Sequence, residues 1–235
     1  MITMQSIIIV DDMNEHIQYI KNIIQDMSYS FRIQTFHNIQ AFQSQIQQFD
    51  DDAIIIMDIL LGQNDGIELA KQLNQLQRHF QIIFVSSYLE KATLVYDTKH
   101  CYFVYKPEAT QRLPMAILKA MQNIQNEKRV LVIDLKDGTT CILLKDILYI
   151  ERIQRYSYIH TPYEVIKTSL KIKDLLQQLT LPFIRTHNSY IINAQYVKEL
   201  KRIHVILQNQ QSIPISRAYQ EHLKQQFHLF LMQQL

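Results

Sequence analysis

The sequence predicts two domains, an α/β domain with a parallel sheet followed by a mainly β domain. With 235 residues, the chain is longer than a single hydrophobic core usually needs. In the first half, apolar strand-like runs and amphipathic helical stretches alternate five times, which indicates a parallel sheet covered by helices on both faces. From residue 129 onward, strand-like segments follow one another with little helix between them, so the second half is predicted to be mainly β.

Each predicted strand of the first half is a short apolar run, as expected for a parallel strand that is buried on both faces. The five predicted strands are 6–10, 31–36, 53–59, 81–87 and 101–106. The segments between them carry apolar residues at three- and four-residue steps, and Asn38 is a suitable N-cap for the second helix. The predicted helices are 17–27, 39–49, 66–76, 90–99 and about 111–125.

The second half begins after a short polar segment. Residues 126–129 are predicted to be a linker, which divides the chain into domains at 1–125 and 130–235. The predicted strands are 129–135, 140–144, 147–153, 157–161, 163–169, 190–193, 196–200, 203–207 and 212–216. Two short helices are predicted at 171–179 and 217–230.

Composition excludes several classes of protein. The apolar runs, such as 53–57, are far too short to span a bilayer, and no basic segment with an apolar run marks a signal peptide. The two cysteines, Cys101 and Cys141, do not form a disulfide framework. We therefore expect a cytoplasmic protein with no membrane partner.

The net charge of +2 conceals an uneven distribution. Residues 1–125 contain 9 basic and 13 acidic side chains, whereas residues 126–235 contain 15 basic and 9 acidic ones. An acidic half and a basic half indicate different partners, and nucleic acid is the natural candidate for the basic half.

Charged and hydroxyl side chains follow the predicted strands of the first half. Asp11 and Asp12 come after the first strand, Asp58 after the third, Ser86 after the fourth and Lys106 after the fifth. Ligands of open α/β sheets bind at the carboxyl ends of the strands, so these groups should converge. Carboxylates in this number suit Mg²⁺, and a carboxylate beside the metal is able to attack phosphorus. Asp58 is the best candidate for that nucleophile.

The stretches IIIVDD, MDILLGQNDGIELA, IIFVSS and FVYKP resemble the receiver domain of two-component response regulators. The resemblance covers about residues 5–125 and implies a doubly wound, flavodoxin-like α/β fold. It implies that Asp58 accepts a phosphoryl group from a sensor histidine kinase. It also implies that Mg²⁺ is held by Asp12, Asp58 and the backbone carbonyl of Leu60, with Asp11 acting through water.

Three further features follow from the same resemblance. Ser86 is expected to meet the phosphoryl oxygens, Lys106 to be the family's lysine, and Phe103 to be the aromatic switch residue. The Lys106–Pro107 peptide bond is expected to be cis. Phosphorylation is expected to favour a homodimer through helix four, strand five and helix five. Many receivers have a proline soon after the leucine or methionine of this loop. This chain has Gly62 after Leu61 instead.

Three segments of the basic half, 151–161, 183–193 and 213–219, place polar side chains at the ends of apolar strands. DILYIE, FIRTHNSYIIN and IPISRAY resemble the LytTR-type DNA-binding domain over about 130–235, a family that inserts loops into successive major grooves. By position, Asn188 and Arg217 resemble base-contacting residues, and Ser157 or its neighbour Arg155 falls where a third contact is usual. His187 and Ser189 are plausible contacts to the DNA backbone.

These observations predict a response regulator that binds promoter DNA as a dimer and alters transcription, and not an enzyme. Two alternatives stay open. One is a receiver joined to a protein-interaction module. The other is a Mg²⁺-dependent phosphatase with an aspartate nucleophile, but such enzymes carry a second acid two residues after the nucleophile, where this chain has Leu60.

Overall fold

The computed structural model describes residues 4–62, 64–76, 78–135 and 138–232. The chain divides into two compact units, Met1–Asn126 and Glu127–Leu235. The helix Ala109–Lys128 includes the first three residues of the predicted linker 126–129. Each helix in the described ranges is too short or too polar to span a bilayer.

The first unit contains a five-stranded parallel sheet and a short hairpin whose two strands have two residues each. Its strands are β1 (Gln5–Val10), β2 (Phe31–Phe36), β3 (Ile54–Met57), β4 (Leu60–Leu61), β5 (Asn64–Asp65), β6 (Gln81–Ser86) and β7 (Tyr102–Tyr105). The sheet has the order β2-β1-β3-β6-β7, and β4 and β5 form the antiparallel hairpin that follows β3. The doubly wound α/β fold predicted from the sequence is therefore confirmed.

In the described part of the first unit, the α-helices that cover this sheet are α1 (Asn14–Gln25), α2 (Ile39–Gln45), α3 (Gly66–Gln75) and α4 (Ala109–Lys128). Successive residues of β1 point to opposite faces of the sheet and enter different cores. Ile8 and Val10 pack with α2 and α3, whereas Ile7 and Ile9 pack with α1 and α4. Asn38 caps α2 as predicted, since its Oδ1 accepts a hydrogen bond of 2.8 Å from the backbone N–H of Ala41.

The predicted helix 90–99 is not an α-helix. The structure has two short 3-10 helices there, Leu89–Lys91 and Leu94–Asp97. Of these residues only Val95 is buried, so little packing stabilises a longer helix. Thr98 ends the segment, because its hydroxyl donates to the carbonyl of Val95 at 2.8 Å.

The second unit is mainly β, as predicted. Its strands are β8 (Val130–Leu135), β9 (Gly138–Leu143), β10 (Tyr149–Ile153), β11 (Tyr156–His160), β12 (Val165–Thr168), β13 (Phe183–His187), β14 (Tyr190–Asn193), β15 (Val197–Leu200), β16 (His204–Leu207) and β17 (Ser212–Pro214). They form a β8-β9 hairpin, an antiparallel sheet of order β12-β11-β10-β14-β13, and an antiparallel sheet of order β15-β16-β17. Helices α5 (Ile172–Gln178) and α6 (Gln220–Met232) complete the unit.

The five-stranded sheet of the second unit lies between two cores. Ile150, Ile159 and Ile191 pack with α5 and the β8-β9 hairpin, whereas Ile184 and Ile192 pack with the three-stranded sheet and α6. Burial on both faces fixes the register of these strands, because a slip of one residue would exchange the two faces. The loops at the strand ends are therefore held in defined positions.

Candidate functional site

The register of the parallel sheet brings the first acidic residues together. Val10 of β1 and Met57 of β3 lie side by side, so Asp11 and Asp58 follow neighbouring strands at the same level. The backbone N–H of Asp58 donates to the carbonyl of Val10 at 3.1 Å, which extends the pairing by one residue. Both residues are buried: 1% of the surface of Asp11 and 8% of the surface of Asp58 are exposed to solvent.

Lys106 lies between these two carboxylates. Its Nζ is 2.8 Å from Oδ2 of Asp11 and 2.5 Å from Oδ2 of Asp58, and the lysine is itself 8% exposed. A third contact of 2.8 Å joins Nζ to Nδ1 of His16. Because an isolated buried charge is costly, the ammonium and the carboxylates depend on one another.

His16 is the member of this cluster to which the sequence analysis gave no role. It lies in the first turn of α1, and its Nδ1 is also 3.2 Å from Oδ1 of Asp11. The signal was its position: in a doubly wound fold, the helix after a strand begins beside the carboxyl end of that strand. A side chain in this first turn is therefore close to the residues that follow β1.

Asp12 and Leu60 occupy the rim of the pocket. Asp12 is exposed, and a Cβ placed on Gly62 would lie 3.8 Å from its Oδ2, so its carboxylate lies beside the loop that follows Asp58. Gly62 has a φ of +64°, which a glycine adopts readily. The backbone N–H of Leu60 donates to Oδ1 of Asp58 at 3.3 Å.

The side chains able to hold one ion differ in part from the predicted set. Within the described ranges, the acidic, His and Cys side chains whose ligand atoms lie within 4.8 Å of one another are Asp11, His16 and Asp58, and Asp12 is outside this group. Two buried carboxylates and one ammonium leave a negative charge, and carboxylate oxygens are the ligands that Mg²⁺ prefers. The residues present therefore fit a divalent cation.

Gly66 fixes the backbone of Asp58. It is the first residue of α3, and its N–H donates to the carbonyl of Ile59 at 2.8 Å. A Cβ at this position would lie 2.2 Å from the carbonyl oxygen of Asp58, a distance that no side chain tolerates. The start of α3 thus packs directly against the residue predicted to accept the phosphoryl group.

Ser86 and Phe103 lie on the neighbouring strands. Ser86 is fully buried at the end of β6, and its Oγ accepts a hydrogen bond of 3.3 Å from the backbone N–H of Tyr88. Phe103 of β7 pairs with Phe84 and is partly buried against the core formed with α2 and α3. Lys106 follows β7 and opens a 3-10 helix, which sends its side chain into the pocket.

The expected cis bond between Lys106 and Pro107 is wrong. In the described part of the chain, the cis peptide bond is Leu181–Pro182. Pro107 lies instead in the first turn of the 3-10 helix Lys106–Glu108. A trans proline fits there, because the first N–H groups of a helix have no intrahelical acceptor and the ring already sets a helical φ.

In the second unit, the turn between β10 and β11 is organised by Arg152. Its Nη1 donates to Oγ of Ser157 at 3.1 Å and to the carbonyl of Leu170 at 2.8 Å, and its Nη2 donates to the carbonyl of Arg155 at 3.0 Å. Arg155 is exposed, at the tip of the turn. The guanidinium of Arg152 therefore stabilises the conformation of this turn through hydrogen bonds.

Ser157 does not present its hydroxyl to a ligand. It is fully buried, and its Oγ donates to the carbonyl of Leu170 at 2.6 Å. It lies two residues before Ile159 in β11, and alternate residues of a strand share a face, so Ser157 points inward. Of the two residues expected to supply the third DNA contact, only Arg155 is exposed.

The loop between β13 and β14 carries His187, Asn188 and Ser189. Asn188 is exposed, and its Oδ1 accepts a hydrogen bond of 3.0 Å from the hydroxyl of Tyr219. The half-buried His187 uses Nδ1 to accept from the backbone N–H of Ser189 at 3.1 Å. Arg185 donates to the carbonyls of His187 and Asn188, at 3.1 and 3.0 Å, so this loop is also held from within.

Backbone hydrogen bonds join the three candidate loops. The N–H of Arg152 donates to the carbonyl of Ser189 at 2.8 Å, which ties the β10-β11 turn to the β13-β14 loop. The N–H of Ser216 donates to the carbonyl of Thr186 at 3.0 Å, and the exposed Arg217 follows directly. The exposed residues Arg155, Asn188 and Arg217 therefore lie on loops that are connected to one another.

A hydrogen-bonded group lies behind the β13-β14 loop. Glu151 accepts from the hydroxyl of Tyr190 at 3.1 Å and lies 2.9 Å from Nε2 of His160, whose ring stacks on Tyr149. Burial, followed by the charge of Glu151, raises the pKa of Tyr149 to about 12. Burial and the hydrogen bond to Glu151 also raise the pKa of Tyr190, so both phenols stay protonated at neutral pH.

Two family models match this chain. The family model of the response regulator receiver domain matches residues 7–118, and that of the LytTr DNA-binding domain matches residues 137–228. The chain is 23% identical over 245 residues to the sensory transduction protein LytT of Bacillus subtilis (strain 168), with 96% of this chain and 100% of the relative covered.

Two further similarities are of the same kind. The transcriptional regulatory protein LytR of Staphylococcus aureus (strain N315) is 24% identical over 200 residues, covering 76% of this chain and 80% of that one. A response regulator receiver domain protein from Clostridium thermocellum has a similar solved structure, with a TM-score of 0.44 and 19% identity over 52% of this chain and 98% of that one.

Proposed function

Because the chain belongs to the response regulators that join a receiver domain to a LytTR DNA-binding domain, we propose that phosphorylation of Asp58 controls its binding to promoter DNA. The phosphoryl donor is a sensor histidine kinase. The protein acts in the cytoplasm, binds paired sites as a phosphorylated dimer and changes transcription. The contact that carries the proposal is the one between Lys106 and the two buried carboxylates of Asp11 and Asp58.

In the transfer step, a carboxylate oxygen of Asp58 attacks the phosphorus of the phosphorylated kinase histidine. The new P–O bond forms as the P–N bond breaks, and the imidazole keeps the electron pair and takes up a proton. Lys106 lies 2.5 Å from Oδ2 of Asp58, so its positive charge is adjacent to the arriving phosphoryl oxygens. Ser86 supplies a hydroxyl from the neighbouring strand, and Phe103 follows its movement.

The cation contributes charge neutralisation on the phosphoryl oxygens when it is bound. The carboxylates of Asp11 and Asp58 are candidates to hold it, with Asp12 and the backbone carbonyl of Leu60 as further ligands. Asp58 is fixed through its own backbone hydrogen bond to Val10 and through the close packing of α3 on its carbonyl.

Phosphorylation of the full-length protein by acetyl phosphate and Mg²⁺ tests the first half of the proposal. Wild type should gain one phosphoryl group by intact mass, and Asp58→Asn should gain none. Asp26→Asn, which changes an exposed aspartate at the C-terminal end of α1, is the matched control and should behave as wild type. A wild-type protein that is folded but stays unmodified would sink the proposal.

For the DNA-binding unit, we propose that Asn188, Arg217 and Arg155 contact bases and that His187 and Ser189 contact the DNA backbone. Support comes from exposure: Asn188, Arg217 and Arg155 are exposed on loops joined by backbone hydrogen bonds. Arg pairs with guanine through two hydrogen bonds, and Asn pairs in the same way with adenine. Buried Ser157 is left out of this set as a direct contact.

Footprinting followed by binding to single-base variants of the site tests these contacts. Asn188→Ala and Arg217→Ala should each lose about 1–3 kcal/mol of discrimination at one base pair. Lys198→Ala is the control. Lys198 lies on β15, which follows β14 in the chain, whereas the β13-β14 loop precedes β14. A loss that is equal for all sequences would make these residues phosphate contacts instead.

Dimerisation is the remaining part of the proposal. The predicted surface consists here of the 3-10 segments within 89–97, β7 and α4, and it includes exposed apolar side chains such as Tyr96 and Met115. Phosphorylated wild type should sediment as a dimer, whereas Asp58→Asn treated in the same way should stay monomeric. Identical sedimentation of the wild-type protein before and after phosphorylation would contradict this part alone.

A further inference from the structure

His16 contributes a lone pair to the pocket. An ammonium group only donates hydrogen bonds, so the 2.8 Å contact from Nζ of Lys106 requires Nδ1 of His16 to be the acceptor. Its proton is then on Nε2. It follows that the 3.2 Å approach of Nδ1 to Oδ1 of Asp11 is a contact between two acceptors, both facing the same cation.

Three acceptors therefore surround one positive charge. The ammonium of Lys106 has three N–H groups, and it meets Oδ2 of Asp11, Oδ2 of Asp58 and Nδ1 of His16 at 2.8, 2.5 and 2.8 Å. Two of these acceptors are carboxylate oxygens and the third is an imidazole nitrogen. This is the donor set of a mixed-ligand metal site and not of a purely oxygen one.

We propose that His16 is a metal ligand of this pocket through Nδ1, whose lone pair passes from the ammonium of Lys106 to the ion when the ion binds, and that it shifts the preference of the pocket from Mg²⁺ toward first-row transition ions. The inference rests on the proposed phosphoacceptor pocket and adds to it a ligand of a different chemical kind. Mg²⁺ takes oxygen ligands almost exclusively, so an imidazole contributes little to its binding. Transition ions accept nitrogen and oxygen together, and they gain affinity from the same side chain.

Pulsed electron paramagnetic resonance on the Mn²⁺-loaded full-length protein tests the ligand directly. A nitrogen bound to Mn²⁺ produces ¹⁴N modulation of the electron spin echo. Wild type should show this modulation, and His16→Ala should lose it. His79→Ala is the matched control, because His79 precedes β6 at the amino end of the sheet, away from the pocket. Modulation that persists in His16→Ala, or is missing in wild type with bound Mn²⁺, would overturn the inference.

Calorimetric titration measures the change in preference. His16→Ala should bind Mn²⁺ about tenfold more weakly than wild type, which is at the lower end of the 10–100-fold losses seen for supporting residues of metal sites. Its affinity for Mg²⁺ should change by much less. An equal loss for both ions would mean that the variant has disturbed the pocket as a whole, and thermal melting of the variant without metal identifies that case by a lowered Tm. An equal loss without a change in Tm would overturn the preference.

The inference and the proposed function fail in different ways. Wild-type protein from the same preparation is treated with acetyl phosphate and Mg²⁺, and its mass is measured. Phosphorylation without ¹⁴N modulation overturns the role of His16 and leaves the phosphoacceptor intact. Modulation without phosphorylation overturns the proposed function and leaves a metal site that includes His16.

Discussion

The acidic pocket and the loop face of the second unit, which is formed by the loops that carry Arg155, Asn188 and Arg217, hold their functional residues in different ways. In the pocket, Asp11, Asp58 and Lys106 are buried and bind one another directly. On the loop face, the exposed Asn188 and Arg217 are candidates for contact with a ligand. Other residues hold their loops in place through hydrogen bonds. The loops are held by residues such as Arg152, Arg185 and Tyr219.

A functional residue can contact the ligand, or it can hold another residue in position, and the two sites divide these roles differently. In the pocket one side chain does both, so a substitution should change stability and chemistry together. On the loop face the jobs are divided, so a contact residue should be replaceable with little loss of stability. Three substitutions test this contrast, from the largest expected effect to the smallest, and the reactivity of the two cysteines adds a smaller contrast between a buried and an exposed group.

Lys106→Met should have the largest effect. It removes the positive charge between Asp11 and Asp58, and loss of one partner from a buried ion pair costs about 3–5 kcal/mol of stability. Urea unfolding of the full-length protein in EDTA measures this loss, and added Mg²⁺ should restore part of it. The exposed Lys99→Met is the control. Arg217→Ala, the contrast from the loop face, should stay within about 0.5 kcal/mol of wild type. A similar loss for Lys106→Met and Arg217→Ala would remove the contrast.

Gly66→Ala should follow. Its new Cβ would meet the carbonyl of Asp58 at 2.2 Å, so α3 or the backbone of Asp58 must shift. Overpacking of this kind costs about 1–3 kcal/mol. The rate of phosphorylation by acetyl phosphate should fall as well, because the nucleophile is displaced. Gly138→Ala is not a neutral control, since its φ of +145° is strained for alanine, but a Cβ there meets nothing within 4 Å. It should therefore reduce stability without slowing phosphorylation.

Tyr219→Phe should have a smaller effect, confined to DNA binding. It removes the 3.0 Å hydrogen bond that orients the side chain of Asn188, worth about 1 kcal/mol. Discrimination at the base pair read by Asn188 should weaken by about that amount, while stability changes little. Tyr163→Phe, at an exposed tyrosine of the same unit, should leave discrimination unchanged. Weakened binding to all sequences equally would indicate that Tyr219 itself contacts phosphate.

The two cysteines give the smallest contrast. Burial raises the pKa of Cys101 to about 11, whereas Cys141 is exposed on β9. Only the thiolate is alkylated, and a raised pKa lowers its fraction at every pH below 11. Iodoacetamide at pH 8 should label Cys141 first, and labelling of Cys101 should accelerate as the pH approaches 11. Both should react alike in urea. Prompt labelling of Cys101 at pH 8 in the folded protein would contradict its burial.

Some of these features follow from the sequence because topology determines them. Asp11, Asp58 and Lys106 follow strands of a parallel sheet, and the carboxyl ends of such strands lie at one edge, so their convergence is predictable. The polar residues 187–189 are predicted to lie at the end of an apolar strand, but the strand predicted there is 190–193, and β13 before the loop is not among the predicted strands.

Other features depend on geometry that the sequence pattern leaves open. His16 lies in the first turn of α1, which begins at Asn14, whereas the predicted helix begins at residue 17 and so leaves His16 outside it. Ser157 faces inward because of strand parity, which its neighbour Ile159 could have revealed. The segment 90–99 has the composition of a helix, but only Val95 is buried within its 3-10 turns, and tertiary packing decides such short elements.

The three hydrogen bonds of Lys106 have one more consequence. Every N–H of its ammonium already has an acceptor, from Asp11, Asp58 or His16. An arriving phosphoryl group must therefore compete with the protein's own side chains for this charge, and at least one internal bond has to break first.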